Sequence, residues 1–276
     1  MKSYLKTKDF SVSQESFELV FNEELDMLIT QPQPKTLDKY YESEVYISHT
    51  DAKKSLVDKI YQQVKTYSLK KKLKLLNSFE TSKKSLLDIG AGTGDFLSTA
   101  KNGGWNIAGV EPNSLARTKA QEKGINLNTS LQEVNNKKFK VITLWHVLEH
   151  LPDLENQIKT IVSLLDVNGT LVVAVPNFKS YDAEHYGEFW AAYDVPRHLW
   201  HFSKKAIDVL FQKHQMNVVD CKPMLFDAFY VSLLSEKYKT GKLSFVKAFY
   251  QGLKSNRKAK GTREYSSHIY ILKKDK

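Results

Sequence analysis

Leu86-Leu87-Asp88-Ile89-Gly90-Ala91-Gly92-Thr93-Gly94-Asp95-Phe96-Leu97 decides the reading of this 276-residue chain. An apolar run ends in a glycine-rich turn and passes directly into a helix start. That order predicts a buried parallel strand feeding a crossover helix. Gly90, Gly92 and Gly94 permit positive φ and let backbone lie against a ligand that a Cβ would exclude. Glu111 follows Gly90 by 21 residues, at the end of the next predicted strand. A carboxylate there is placed to accept hydrogen bonds from both hydroxyls of a ribose. The spacing is G-x-G-x-G, whereas a dinucleotide fingerprint has G-x-G-x-x-G with its third glycine inside the helix. Asp88, two residues before the first glycine, is poor company for a pyrophosphate and suits a cationic, amino-acid-bearing ligand.

Working outward, strands and helices alternate. Short apolar runs at Ser85–Ile89, Asn106–Val110, Ile125–Asn128, Lys140–Trp145, Thr170–Val175 and Asn217–Cys221 read as strands. Helices are predicted over Asp95–Asn102, Asn113–Lys123, Leu151–Val167 and Ser203–His214, the last capped by Ser203. Alternation at this spacing implies a parallel sheet covered on both faces. Before it, Asp9–Thr30 predicts a short β element or cap, and Gln31-Pro-Gln-Pro34 breaks regularity. Leu56, Ile60, Val64 and Tyr67 recur at helical spacing within a long amphipathic helix over Asp51–Phe79. After it, apolar and aromatic residues from Phe226 to Arg263 stud a Lys-rich background and predict two amphipathic helices. His268–Leu272 alternates and would close the sheet. Cys221, the single cysteine, reads as a small core residue.

At these residues a resemblance becomes specific. Leu87–Phe96, Val110-Glu111-Pro112, Leu144-Trp-His-Val-Leu-Glu-His-Leu-Pro152 and Leu165-Asp-Val-Asn-Gly-Thr-Leu-Val-Val-Ala-Val-Pro-Asn177 look like successive motifs of the class I S-adenosylmethionine-dependent methyltransferases. The small-molecule branch, with ubiquinone-biosynthesis O-methyltransferases and glycan-cluster relatives, is the most similar. The resemblance implies an α/β fold: a doubly wound, Rossmann-like, seven-stranded, mostly parallel sheet with an antiparallel last strand. To this the sequence adds an N-terminal helical extension and a helical insertion before the last strand. Residues 1–80 form the cap and long helix, and 81–276 the methyltransferase domain, with 226–263 as a helical lid. S-adenosylmethionine is the implied cofactor. Asp88, Gly90, Gly92 and Gly94 would hold its methionine part and Glu111 its ribose, while Trp145 and His146 would flank the sulfonium or adenine. The acidic residue that many relatives carry near the third strand is absent from Asn128-Thr-Ser-Leu131.

Methyl transfer from a sulfonium is an in-line displacement in which alignment supplies most of the acceleration. An oxygen or nitrogen acceptor also has to lose a proton, and His146, at the carboxyl end of a strand, is the first candidate base. His146, Glu149 and His150 form H-x-x-E-H. Related ubiquinone-pathway enzymes have carboxylates in this region that can hold a divalent metal, but here Glu149 and His150 are expected to cap and anchor the next helix, with no metal. The aromatic stretch Phe189–Phe202 is too long for a plain connection. It would give Tyr193, Asp194, Arg197, His198 and Trp200 to the acceptor, with Arg197 pairing an anionic group and His198 as a second candidate base.

Bulk properties bound the alternatives. One cysteine excludes an internal disulfide and a Cys-based zinc site. No stretch reaches the length of a signal peptide's apolar region or of a membrane span, so a cytoplasmic protein is expected. The net charge is +10, and Phe226–Lys276 holds 12 Lys/Arg against 4 Asp/Glu, +8 of the total. A small-molecule acceptor is the leading expectation. The basic tail keeps an RNA or protein methyltransferase open, although no nucleic-acid-binding motif accompanies it and Trp145-His-Val-Leu148 is not the Asn-Pro-Pro-type tetrapeptide of nucleobase methylases. A non-catalytic regulatory module is a further alternative, and the glycine spacing disfavours a nicotinamide oxidoreductase. The tail helices are expected to form a water-excluding lid; lying on an anionic membrane surface is the lesser alternative.

Overall fold

The computed structural model describes residues 1–40, 56–79, 81, 83–134 and 136–274. The β element predicted over Asp9–Thr30 is larger than the sequence suggests and begins at Lys2. Strands β1 (Lys2–Lys8), β2 (Ser16–Asn22) and β3 (Met27–Gln31) pair antiparallel, and β3 also pairs with the two-residue β8 (Trp200–His201). Alternation decides the buried face: Phe17, Leu19 and Leu28 join Trp190, Tyr193 and Val195 in one apolar cluster.

The second sheet has six strands in the order β5-β4-β6-β7-β10-β9. These are β4 (Ser85–Ile89), β5 (Asn106–Val110), β6 (Phe139–Trp145), β7 (Leu165–Pro176), β9 (Met216–Pro223) and β10 (Ser267–Lys274). β4 runs parallel to both β5 and β6. The helices are α1 (Leu56–Asn77), α2 (Asp95–Asn102), α3 (Ser114–Glu122), α4 (Leu154–Ser163), α5 (Tyr181–Tyr186), α6 (Lys204–Gln212), α7 (Asp227–Thr240) and α8 (Phe245–Thr262). The predicted start of α1 at Asp51 lies outside the described residues. The Ser203 cap is in place, its hydroxyl accepting from the Ala206 amide at 3.0 Å. Among the described residues no helix is long and apolar enough to cross a membrane.

Three expectations are corrected. The strand expected at Ile125–Asn128 shrinks to a single bridge between Val110 and Asn128, because the chain turns at once into a 3₁₀ segment at Leu131–Val134; among the described residues the sheet has six strands where seven were expected. The helix expected over Leu151–Val167 ends at Ser163. Asn168-Gly169, a helix-stopping pair by composition directly after the expected helix, lies inside β7, with Asn168 at φ 59°. Cys221 is exposed and not a core residue, since β9 is the sheet's edge strand.

The chain divides into two compact units. One is built from the N-terminal strands, His146–Glu155 and Val173–Ile271; the other from the segment ending at Trp145, Asn156–Val172 and the chain's last residues. In the latter, Gly109 lets α2 approach β5. A Cβ there would come within 2.5 Å of Leu97 Cδ1 and Leu127 Cδ2. Gly109→Val is expected to lower unfolding free energy in urea by about 1–3 kcal/mol through overpacking; an unchanged midpoint would show that this approach is not tight.

Candidate active site

The first group of functional side chains is set by the turn after β4. Gly90, Gly92 and Gly94 have φ of 69°, 53° and 74°, values that side chains resist. At Gly94 crowding adds to this, since a Cβ would lie 3.0 Å from Ala120 Cβ. At Gly92 a Cβ would meet nothing within 4 Å, so the backbone faces open space. The turn is pinned to β5 by the Gly90 and Ala91 amides, which donate to the Val110 carbonyl at 2.8 and 3.0 Å.

Glu111 completes the turn. Its carboxylate accepts from the Gly92 amide at 2.9 Å and from the Asn113 amide at 2.9 Å. Asp88 is buried at 3% exposure and accepts a 2.6 Å hydrogen bond from the Thr143 hydroxyl. Burial pushes its pKa up to about 7, against the opposing pull of Thr143 and of the Lys72 charge. Trp145, at the end of β6, packs edge-on to Phe96 at 5.5 Å. Its buried indole N–H has no hydrogen-bond partner among the described residues.

Sequence reasoning missed Lys72. Its ammonium, carried by α1, lies 4.2 Å from the Trp145 ring centroid and 5.6 Å from that of Phe96, a cation–π arrangement. Lys65 of the same helix pairs with Asp95 at 2.7 Å. Lys65, Ser68, Leu69 and Lys72 thus line an open cleft whose other wall is Ala91, Thr93, Asp95 and Phe96. The signal in the sequence was the placement of Lys65 and Lys72 two helical turns apart, which reads equally well as a solvated face.

The second group lies in the other unit. The H-x-x-E-H stretch is not helical. His146 has φ 57°, an uncommon region for such a residue, and Leu148–His150 is a 3₁₀ turn. His146 therefore sits between Glu149 and the start of α7. Its Nε2 is 3.0 Å from Asp227 Oδ2 in the first turn of α7, and its Nδ1 is 3.4 Å from Glu149 Oε1. Burial alone would lower its pKa, but the Asp227 hydrogen bond and charge, then those of Glu149, push it up to about 10. In this arrangement His146 holds its proton at neutral pH, so the expected role as base requires separation from Asp227.

Glu149 and His150 anchor the segment Arg197–Leu199. The Leu199 amide donates to the Glu149 carbonyl at 2.8 Å, and His150 Nδ1 meets the Arg197 carbonyl at 3.0 Å. Burial lowers the His150 pKa to about 4, aided by the neighbouring His198. His198 Nδ1 meets the Ala192 carbonyl at 2.9 Å. Facing a carbonyl, Nδ1 carries the proton in the neutral ring and Nε2 the lone pair. Ligand atoms of Glu149, His150 and His198 lie within 4.8 Å of one another. Glu149 is 1% exposed, and apart from the 3.4 Å approach of His146 Nδ1 to Oε1 its carboxylate oxygens have no partner among the described residues. This trio has the donor chemistry to hold a divalent cation.

The stretch Phe189–Phe202 is interior and not an open loop. Tyr193 is buried. Arg197 is 1% exposed and its guanidinium is held by Asp194, by Asp9 Oδ1 at 2.9 Å, by the Ser11 hydroxyl and by the Tyr40 carbonyl. An anionic acceptor group meets no open donor there. Trp200, half-buried, donates its indole N–H to the Leu151 carbonyl at 2.8 Å.

Comparison with known proteins identifies the family. A family model described as a methyltransferase domain matches residues 61–220, more than half of the chain, and the chain belongs to that family. It is 29% identical over 109 residues to a ubiquinone biosynthesis O-methyltransferase of Coxiella burnetii (strain Dugway 5J108-111), covering 36% of this chain and 47% of that protein. It is 27% identical over 173 residues to a protein of that name from Haemophilus ducreyi, covering 56% and 72%. The match thus spans about half the length of the first relative. Among solved structures, magnesium protoporphyrin IX methyltransferase from Synechocystis PCC 6803 with bound SAH aligns with a TM-score of 0.58 at 14% identity, covering 88% of this chain and 100% of that one. A SAM-dependent methyltransferase from Archaeoglobus fulgidus aligns at 0.52 and 19%, covering 75% and 94%. At these identities the structures share the fold.

Two outcomes follow from the second group. Asp227→Asn is expected to bring the His146 pKa down from about 10 toward neutrality in an NMR titration of the imidazole signals. Because the folded pKa lies above the unfolded value, the pair's stabilisation is complete below about pH 6.5 and is lost as pH rises through 10. An unmoved pKa would refute the pairing. Arg197→Met, which strands Asp9 and Asp194, is expected to cost about 3–5 kcal/mol in denaturant unfolding; a loss under about 1 kcal/mol would show that the aspartates find water instead.

Proposed function

We propose that the chain is an S-adenosylmethionine-dependent methyltransferase acting on an oxygen or nitrogen of a small molecule, of the sugar- or quinone-like kind. The observation that carries the reading is the Glu111 carboxylate fixed on the Gly92 amide beside backbone that faces open space. When bound, S-adenosylmethionine supplies a methyl group on a sulfonium, which leaves by in-line displacement. The residues present fit that cofactor. Glu111, oriented by two amides, keeps lone pairs for the ribose hydroxyls. Asp88, Gly90, Gly92 and Gly94 suit the methionine part, with no side chain in the way at Gly92. Trp145 offers its unpartnered indole N–H and an aromatic face for a cation. Lys72 adds a positive charge for the cofactor's carboxylate.

For the acceptor the candidates are His146 and His198, with Tyr193, Asp194, Arg197 and Trp200 shaping their surroundings. His146, kept protonated by Asp227 and Glu149, serves as a fixed positive charge for an acceptor oxygen that is losing its proton. His198, with Nδ1 held on a carbonyl, presents Nε2 as the proton acceptor. Arg197 acts through the residues it holds and not by touching the acceptor.

Calorimetric titration tests the reading. S-adenosylmethionine and S-adenosylhomocysteine are expected to bind and NAD is not; binding of NAD alone would overturn the assignment. Asp88 adds a pH signature. Its pKa of about 7 lies above the usual carboxylate value, so the neutral acid is favoured before the donor binds. Its contribution to stability is complete below about pH 4 and is lost as pH rises through 7. A cationic donor favours the ionised form, so binding expels a proton and affinity should rise about tenfold from pH 6 to 8. In the same titrations, Lys72→Met is expected to weaken S-adenosylhomocysteine about tenfold while sparing 5′-methylthioadenosine, which lacks the amino-acid part. Equal losses for both ligands would remove Lys72 from carboxylate recognition.

A further inference from the structure

Helix α8 is built the wrong way round for a helix that only covers a core. Its buried residues are small: Ala248, Gly252, Ser255 and Ala259. They allow a close approach to α7, where a Cβ on Gly252 would come 2.6 Å from Phe229 Cδ1. The large apolar residues point outward. Val246 is 83% exposed, Phe249 60%, Tyr250 62% and Leu253 48%. Their spacing i, i+3, i+4, i+7 makes one continuous stripe. Phe245 and Leu243, just before it, are also exposed, as are Leu225 and Phe226. The Asn256 side chain donates to the Leu225 carbonyl, and Phe229 packs against Phe249, so these apolar residues adjoin. Exposed apolar surface on this scale marks an interaction site.

The charges around the stripe say what covers it. Phe245–Thr262 contains Lys247, Lys254, Arg257, Lys258 and Lys260 and no acidic residue. Lys254 and Lys258 lie over the Tyr181 ring. Lys247, Arg257 and Lys260 are exposed, as is Lys242 in the turn before the helix. A second copy seated on the stripe by a twofold axis would set Lys247, Arg257 and Lys260 against their own counterparts with no acidic residue of the helix between them. The lid expected from the sequence accounts for the small-residue face and leaves the opposite face unexplained.

We propose that the outer face of α8, with the turn at Lys242–Ser244, docks on an anionic lipid surface. Val246, Phe249, Tyr250 and Leu253 would enter the acyl boundary while the flanking Lys and Arg side chains reach the headgroups. The helix lies along the membrane and does not cross it. This binding is independent of the transfer reaction and uses none of the residues assigned to it.

Vesicle co-sedimentation of the full chain tests the proposal, with phosphatidylcholine alone and with phosphatidylcholine containing about one third phosphatidylglycerol, the anionic content a polybasic face needs. Binding to the mixed vesicles is expected at least tenfold above that to the neutral ones, weakening at least tenfold between low and high salt. The triple variant Val246→Ser, Phe249→Ser, Tyr250→Ser, with unchanged circular dichroism and melting, is expected to lose at least tenfold in affinity. Lys247→Gln with Arg257→Gln and Lys260→Gln, which leaves the apolar stripe intact, is expected to lose the preference for the anionic lipid. Absence of the wild-type chain from anionic vesicles would overturn the proposal. So would undiminished binding by either folded variant, or a dimer in sedimentation velocity without lipid that the serine variant dissolves. Lipid binding abolished by an acidic peptide that occupies the same face at micromolar concentration would overturn it in favour of a protein partner.

Discussion

A guanidinium with almost no exposure to water has to be neutralised where it lies, and Arg197 imposes that demand on its unit. Desolvation of a charge costs several kcal/mol unless partners take up its protons. Asp194 answers from three residues away and Asp9 from the turn after β1. Burial works against the charged forms, yet the paired charges hold Asp194 and Asp9 well below the usual carboxylate range and Arg197 above its own. The carboxylate of Asp9 is in turn wrapped by the amides of Ser11, Val12 and Ser13. One cation therefore fixes the turn between β1 and β2, the carbonyl of Tyr40 and the segment leading into β8. The carbonyl of Arg197 itself holds the His150 ring, so the histidine cluster inherits its geometry from that ion network.

Local chemistry was legible in the sequence. The glycine turn after β4 needs only neighbours along the chain: positive φ at three glycines, a strand behind them and a helix ahead. Glu111 was legible too, because β4 and β5 are adjacent parallel strands and their carboxyl ends coincide by construction. The Ser203 cap and the two helices of the basic tail follow from equally local patterns. The roles of Arg197 and His146 were not legible. Arg197 meets Asp9 across 188 residues and His146 meets Asp227 across more than 80, and nothing local in either stretch names its partner. The H-x-x-E-H motif turns at a left-handed residue, so its first histidine and its last serve different neighbours.

The fold-level misses have the same physical origin. A four-residue apolar run at Ile125–Asn128 carries strand character, but pairing depends on how soon the chain must turn, and only one bridge survives. Asn168-Gly169 is a sound helix stop by composition, yet the helix had already ended and the pair kinks a strand. Cys221 was assigned to the core on residue type, while position at the rim of the sheet decides its exposure. In each case the residue preference was right for the type and was overridden by placement.

The pairing of Asp9 with Arg197 and of the Thr7 hydroxyl with the Glu188 carbonyl ties the first strand to residues made much later. A ribosome adding about 5–20 residues per second leaves the opening hairpin waiting roughly 10–40 s for them at that rate. Through that interval the apolar side of β2 and β3 has no mate, and a small sheet with its apolar face uncovered is marginal in water. The order of synthesis thus runs against the order of assembly, and β1 to β3 settle only once residues made after them are in place.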